Sequence, residues 1–350
     1  MNRETQEPVS IWQAAKEHKK AFSTKDCLAP ASMKIDCSKI FVKAHTVPRS
    51  SLQHIACNGH VYSFIPSLEN IIKYKGRLQP ELIGISRAST FNGFCSVHDS
   101  KIFSKIERQP FQGSQEQCFL LAYRALAREI YTKKALVSSS DIRRQADRGK
   151  PLERQLAIQY MNALIDTGAS AGLRDNEFYK KIYDNVLLSE DFSNVRAFII
   201  ELDSAPPVMC SAGIFPEQDF VGNQLQNVGD LNMTPDLLNF ASFYSGDHGL
   251  VVFTWLSESD PTCRPFIDSL RALSSDRMTD ALIRFLFEFS ENLHICPRWW
   301  ESLADDKKNT LIDRLASSAN PILARNPGCI AEDGFKFDNW PISNLKPVGF

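Results

Sequence analysis

Cys95 and His98, two residues apart and placed directly after Asn92-Gly93, restrict this chain more than any other feature. Zinc takes four soft or borderline donors in a tetrahedron, and two donors separated by two residues on a tight turn can reach one ion. Glycine suits such a turn. The segment KAHTVPRSSLQHIACNGHVY, residues 43–62, holds three of the seven histidines, and Cys37 and His45 bracket a strand that stops before Pro48. They form the natural second pair, so the expected ligand set is Cys37, His45, Cys95 and His98. A strand alone would hold Cys37 and His45 ~23 Å apart, which calls for a turn near Ser38 and Lys39. Cys27 and Cys57 are reserve ligands. The plainer reading makes Cys95 a core thiol and His98 a surface side chain.

Cysteine usage fits a metal better than cross-links. The count is nine, an odd number, and the N-terminus MNRETQEPVSIWQ lacks the basic-then-apolar pattern of a secretory signal. No apolar run approaches the ~18 residues that cross a bilayer. The expected setting is therefore the cytoplasm without membrane attachment, where thiols stay reduced. Charge divides the chain. Up to residue 155 there are 25 Lys and Arg against 14 Asp and Glu; beyond it, 15 against 27. A basic front half can face phosphates, or the two halves can neutralise each other across an interface.

The apolar pattern sets the organisation. KIFVKAHTV, residues 39–47, and VYSFI, 61–65, alternate as short strands. Ser114 and Gln117 form a capping box opening a helix whose stripe is Phe119, Tyr123, Leu126 and Ile130. Two more helices are expected near 152–167 and 175–188. VRAFIIELD, PVMCSAGIF and GLVVFTWL then read as strands of a mostly antiparallel sheet, followed by helices near 264–274, 276–292 and 299–318 and a proline-rich tail. The expected architecture is α+β in three parts: a basic zinc-binding module over 1–112, a helical extension over 113–190 and an acidic domain over 191–350.

AHTVPRSS and NGFCSVHDSK resemble, respectively, the strand-end histidine with its following proline and the later knuckle-and-helix part of the HNH endonucleases. The resemblance spans residues ~37–107 and implies a treble-clef-like zinc module. It also implies His45 as general base, Asn92 as the amide that orients the attacking water, and Asp99 as ligand to a catalytic cation such as Mg²⁺ or Mn²⁺, with Cys95 and His98 on zinc. Ala44 stands where that family has an acidic residue, Asp99 where it ends on histidine or asparagine, and 49 residues lie between His45 and Cys95. More loosely, KAHTVPRSSLQHIACNGHVY, GFCSVHDSKIFSKIE and QCFLLAYRALARE resemble a set of bacterial proteins. The function these features imply is zinc-dependent nucleic-acid binding, extending to HNH-like metal-dependent cleavage, for which defence against foreign DNA is one setting. The alternative is a non-catalytic zinc-stabilised module that binds a protein partner.

A distant rival is cysteine hydrolysis. Cys118 at a helix start, His248 at a strand entrance and Asp260 beyond it follow the order of papain-like enzymes, and a helix N-terminus lowers a thiol pKa. The stripe around Cys118 equally describes a core cysteine. Walker A, HExxH, GxSxG and strand-linked GxGxxG patterns are absent. Trp299-Trp300 with Phe285, Phe287 and Phe289 read as core or a protein-contact face, core the more so, because Glu288, Glu291 and Glu301 beside them would repel a phosphate backbone.

Overall fold

The computed structural model describes residues 3–65, 70, 73–318, 320, 325–337 and 340–350. Its centre is an eight-stranded antiparallel sheet flanked by helices on both faces, an α+β architecture. In chain order the front half contributes α1 (Ile11–Ala21), β1 (Ala44–His45), α2 (Arg49–Gln53), β2 (His60–Phe64), β3 (Pro80–Gly84), β4 (Thr90–Phe91) and α3 (Ser96–Glu107). Three helices follow: α4 (Gln115–Ser138), α5 (Ser140–Arg144) and α6 (Leu152–Ser189). The rest is β5 (Val195–Leu202), β6 (Val208–Ile214), β7 (Leu238–Ser245), β8 (His248–Leu256), α7 (Asp260–Arg271), α8 (Ser275–Phe289), β9 (His294–Ile295), α9 (Pro297–Ser302), α10 (Asp305–Ser318) and β10 (Ile342–Val348).

The large sheet runs β10-β5-β8-β7-β6-β9-β2-β3, while β1 and β4 make a separate two-stranded pair. Alternation along each strand sorts side chains into two cores. On β5, Val195, Ala197 and Ile199 join the cluster containing Phe119, Tyr123 and Leu126 of α4. Phe198, Ile200 and Leu202 join the opposite cluster with Phe266, Phe285 and Trp300. The C-terminal aromatics are thus core. Helix α4 is apolar nearly all round because the sheet, α3 and α6 cover it on several sides.

Several expectations shift in position. The strand expected over 39–47 shrinks to Ala44–His45, since Lys39 takes a left-handed turn conformation (φ 57°). The two helices expected at 152–167 and 175–188 are one 38-residue helix, α6. The tail expected to be merely proline-rich carries β10, an edge strand along β5. The sheet also crosses the expected boundaries at 112 and 190: β9 pairs with β2 on one side and β6 on the other, and one core cluster runs from Cys27 to Leu256. The Ser114 cap forms, its Oγ accepting from Gln117 N at 3.2 Å, but the Gln117 side chain turns to accept from Gln112 N at 2.7 Å.

Candidate metal centre

Four side chains, Cys27, Cys37, Cys95 and His98, bring one donor atom each within 4.8 Å of all the others. Their arrangement follows from local structure. Cys95 is the N-cap of α3 and His98 lies in its first turn, so the two-residue spacing puts both donors at one helix end. Gly93 is needed there for room: a Cβ would stand 2.3 Å from a ring carbon of Phe91. Its carbonyl accepts from Leu28 N at 2.9 Å, which holds the segment carrying Cys27 against the knuckle. Cys37 arrives from the far end of a 3-10 turn, Ala31–Asp36.

His98 Nδ1 lies 3.2 Å from Cys27 Sγ and 3.3 Å from Cys95 Sγ. Zinc bonds of ~2.3 Å to sulfur and ~2.05 Å to nitrogen, at tetrahedral angles, separate such donors by ~3.6 Å, close to these spacings. His98 is fully buried, as is Cys95. Burial works to raise the Cys95 thiol, yet the His98 N–H and the Ser38 N–H and hydroxyl outweigh it and bring it down to about 6. A thiol poised that way supplies a ready thiolate to a cation. The donor set is three sulfurs and one imidazole, soft ligands that select zinc over magnesium or calcium. With four protein donors the shell is closed, as in sites that hold structure rather than activate water.

His45 is not in this group; Cys27, one of the two reserve ligands, fills the place expected for it. The half-buried His45 ring faces the Ile85 carbonyl, with its Nε2 buried and unpartnered, and burial lowers its pKa. Cys57, the other reserve, sits instead in the turn leading into β2, paired through its backbone with His60. Asn92 lies against the Tyr131 hydroxyl. Asp99, its carboxyl pushed up by burial, stands 3.6 Å from the Arg124 guanidinium. Arg124 was outside every sequence expectation. Its Nη1 donates to the His45 carbonyl at 2.9 Å, its Nη2 to Glu107 at 2.6 Å, and its guanidinium covers the Phe103 ring at 3.9 Å. One signal pointed to it: an arginine on the otherwise apolar stretch FLLAYRALA must bury its charge and find acids nearby.

Cys118 is completely buried and its thiol is pushed up to about 12 by desolvation, while His248 is exposed at the start of β8. Asp260 accepts from Trp255 Nε1 at 2.7 Å. A neutral, enclosed thiol is a poor nucleophile. No helix among the described residues is long and apolar enough to cross a membrane. No family model, curated protein or solved structure matches the chain.

Proposed function

We propose that this chain is a nucleic-acid-binding protein whose basic front half is held in shape by a structural zinc in a treble-clef-like module. The closed Cys27, Cys37, Cys95 and His98 shell carries the zinc part. It joins the Cys27 loop and the end of a 3-10 turn to the start of a helix that closely follows the β1–β4 pair, an arrangement compatible with a treble-clef plan. When bound, zinc supplies cross-linking free energy to a loop-rich segment.

The polyanion part rests on unspent charge. Lys34, Lys39, Lys43 and Lys101 are exposed around the shell and make no salt bridge among the described residues. Ion pairs joining the front and back of the chain across residue 155 are confined, among those residues, to Lys134–Glu177, Arg143–Asp166 and Arg144–Asp166. Mutual neutralisation therefore uses little of the basic excess, which leaves it for phosphates. HNH-like cleavage has less support. Asp99, the carboxylate such chemistry would give to Mg²⁺ or Mn²⁺, already faces a buried guanidinium, and Asn92 interacts with the Tyr131 hydroxyl.

Elemental analysis of the purified chain should find about one zinc per molecule. Duplex and single-stranded DNA and RNA should bind with affinity falling steeply between ~50 and ~200 mM salt, and replacing Lys34, Lys39 and Lys43 together by Glu should abolish binding at the higher salt. Zinc-free native protein of undiminished stability, or binding insensitive to salt, would be incompatible with this function. Divalent-dependent cleavage of any of these substrates would restore the nuclease reading.

A further inference from the structure

The surface around the ligand shell is apolar as well as basic. Ile35 is 90% exposed, Ile40 68% and Val97 42%. Ile35 stands two residues before Cys37. The Ile40 carbonyl accepts from Ser96 N at 2.8 Å, and Val97 is the next residue. The Ser38 and Ser96 hydroxyls, 3.0 Å apart, tie the two segments together. The backbone beside Ile40 and that beside Val97 are thus held together next to the Cys95 ligand, and Ile35 lies on the 3-10 turn that ends at the Cys37 ligand. Residues 34–43 hold three lysines and only Asp36 as an acid.

A single exposed isoleucine calls for no explanation. Three exposed β-branched side chains within a few residues of two candidate ligands, in segments whose exposed lysines make no salt bridge among the described residues, do. The lysines demand a polyanion, and the apolar side chains demand a dry place within it. A DNA duplex offers both: phosphates line the minor groove, and an apolar side chain entering a base step can unstack and kink it. Unstacking a base step is costly, so a wedge must not itself yield, and the ligand shell, once metal-bound, supplies that stiffness. We infer that Ile35, with Ile40 and Val97 as further apolar contacts, is a wedge that enters the minor groove of duplex DNA and bends it. The inference rests on the nucleic-acid reading above and adds to it the form of nucleic acid and the mode of contact.

The test is a short DNA duplex labelled with a fluorophore at each end and titrated with the zinc-loaded full chain. Wild type should bring the two ends together on binding. Ile35→Ala should bind about ten-fold more weakly and leave the ends apart, while Ile35→Leu keeps both properties. Zinc content should be unchanged in both variants, and so should the slope of affinity against salt, because no charge is removed. Wild-type binding to a duplex that stays straight, or an Ile35→Ala variant that bends it equally well, overturns the wedge and leaves polyanion binding standing. No wild-type binding to any nucleic acid removes both. Tighter binding to vesicles of anionic lipid than to duplex overturns the wedge by assigning these side chains to a membrane surface.

Discussion

At the scale of single residues, the buried charge of Arg124 is the most consequential. Its side chain is 1% exposed and touches β1, α3 and Phe103 at once. Removing one member of a buried ion pair strands the other, at a cost of ~3–5 kcal/mol; here Glu107 is partly exposed, so the low end applies. Arg124→Leu should therefore lower stability by ~3 kcal/mol in urea unfolding, and adding Asp99→Asn should recover part of that loss by removing a charge left without a partner. A change in the single variant within ~0.5 kcal/mol of zero would mean the cluster is not a keystone. The metal ligands give a second pair of variants. Cys27→Ser should release zinc, whereas His45→Ala should retain it, as measured by elemental analysis; the reverse result would show that the shell is misassigned. Cys95 and His98 were legible in the sequence because their geometry is local, one turn of one helix. Cys27 could be named only as a reserve, because no fixed spacing connects a loop ligand to a knuckle some 70 positions away; in the fold the Leu28–Gly93 hydrogen bond helps bring it in.

Among the elements, α6 departs furthest from its sequence pattern. Gly168 and Gly172 fall in the gap between the two helices expected there, and glycine costs a helix ~1 kcal/mol relative to alanine, yet the helix runs through both. Tertiary packing decides it. The second half lies on α4, and the first half buries a polar face: Asn162, with Asp166 accepting from Ser140, Arg143 and Arg144. That inward polar face, with Leu152, Leu156 and Tyr160 left outside, is the inverse of what apolar periodicity assumes, so a periodicity reading could not orient the helix. Gly168 has open space where a Cβ would go; Gly168→Ala should accordingly raise stability by ~0.5–1 kcal/mol, and a loss would mean that the backbone is not helical there. Asp166 titrates in the opposite sense from a merely buried acid. Burial works to raise its pKa, but Ser140, Arg144 and Arg143 outweigh it and hold the carboxyl below the usual range. Its contribution is present above the unfolded value of ~3.9 and is lost as pH falls through the folded one. Asp166→Ala should thus destabilise at pH 7 by ~1–3 kcal/mol, discounted for partial exposure. In thermal melts its gap from wild type should narrow below about pH 4; a constant gap would rule out the ionised carboxylate as the source.

Across the whole molecule, the front that carries the candidate metal centre and the sheet-forming back meet through a buried polar seam. Asn292 Nδ2 donates to Thr46 Oγ1 at 2.8 Å, and His294 Nε2 lies 3.2 Å from the Asn292 Oδ1 that remains free to accept. Thr46 directly follows β1, while His294 lies on β9, the strand that links β6 to β2. A cut at residue 190 would take away the sheet that covers α4 and the β9 partner of β2, so the basic half is not expected to fold without the acidic one. The same seam makes that union sensitive to acid. Burial, helped by the nearby Arg128 and His45, holds His294 down to about 3, whereas an unfolded histidine takes up its proton near pH 6.5. The folded pKa is depressed, so the stabilisation is complete above ~6.5 and drains away as pH falls toward about 3. Between pH 7 and pH 5 this one residue should account for about 2 kcal/mol of lost stability. His294→Gln can still donate toward Asn292 but cannot be protonated, so its stability should fall less steeply over that interval, by about the same 2 kcal/mol. Urea unfolding of both proteins at the two pH values measures the difference directly. Since the zinc ligands titrate alike in each, parallel curves for variant and wild type would clear His294 and move the acid sensitivity to the metal shell.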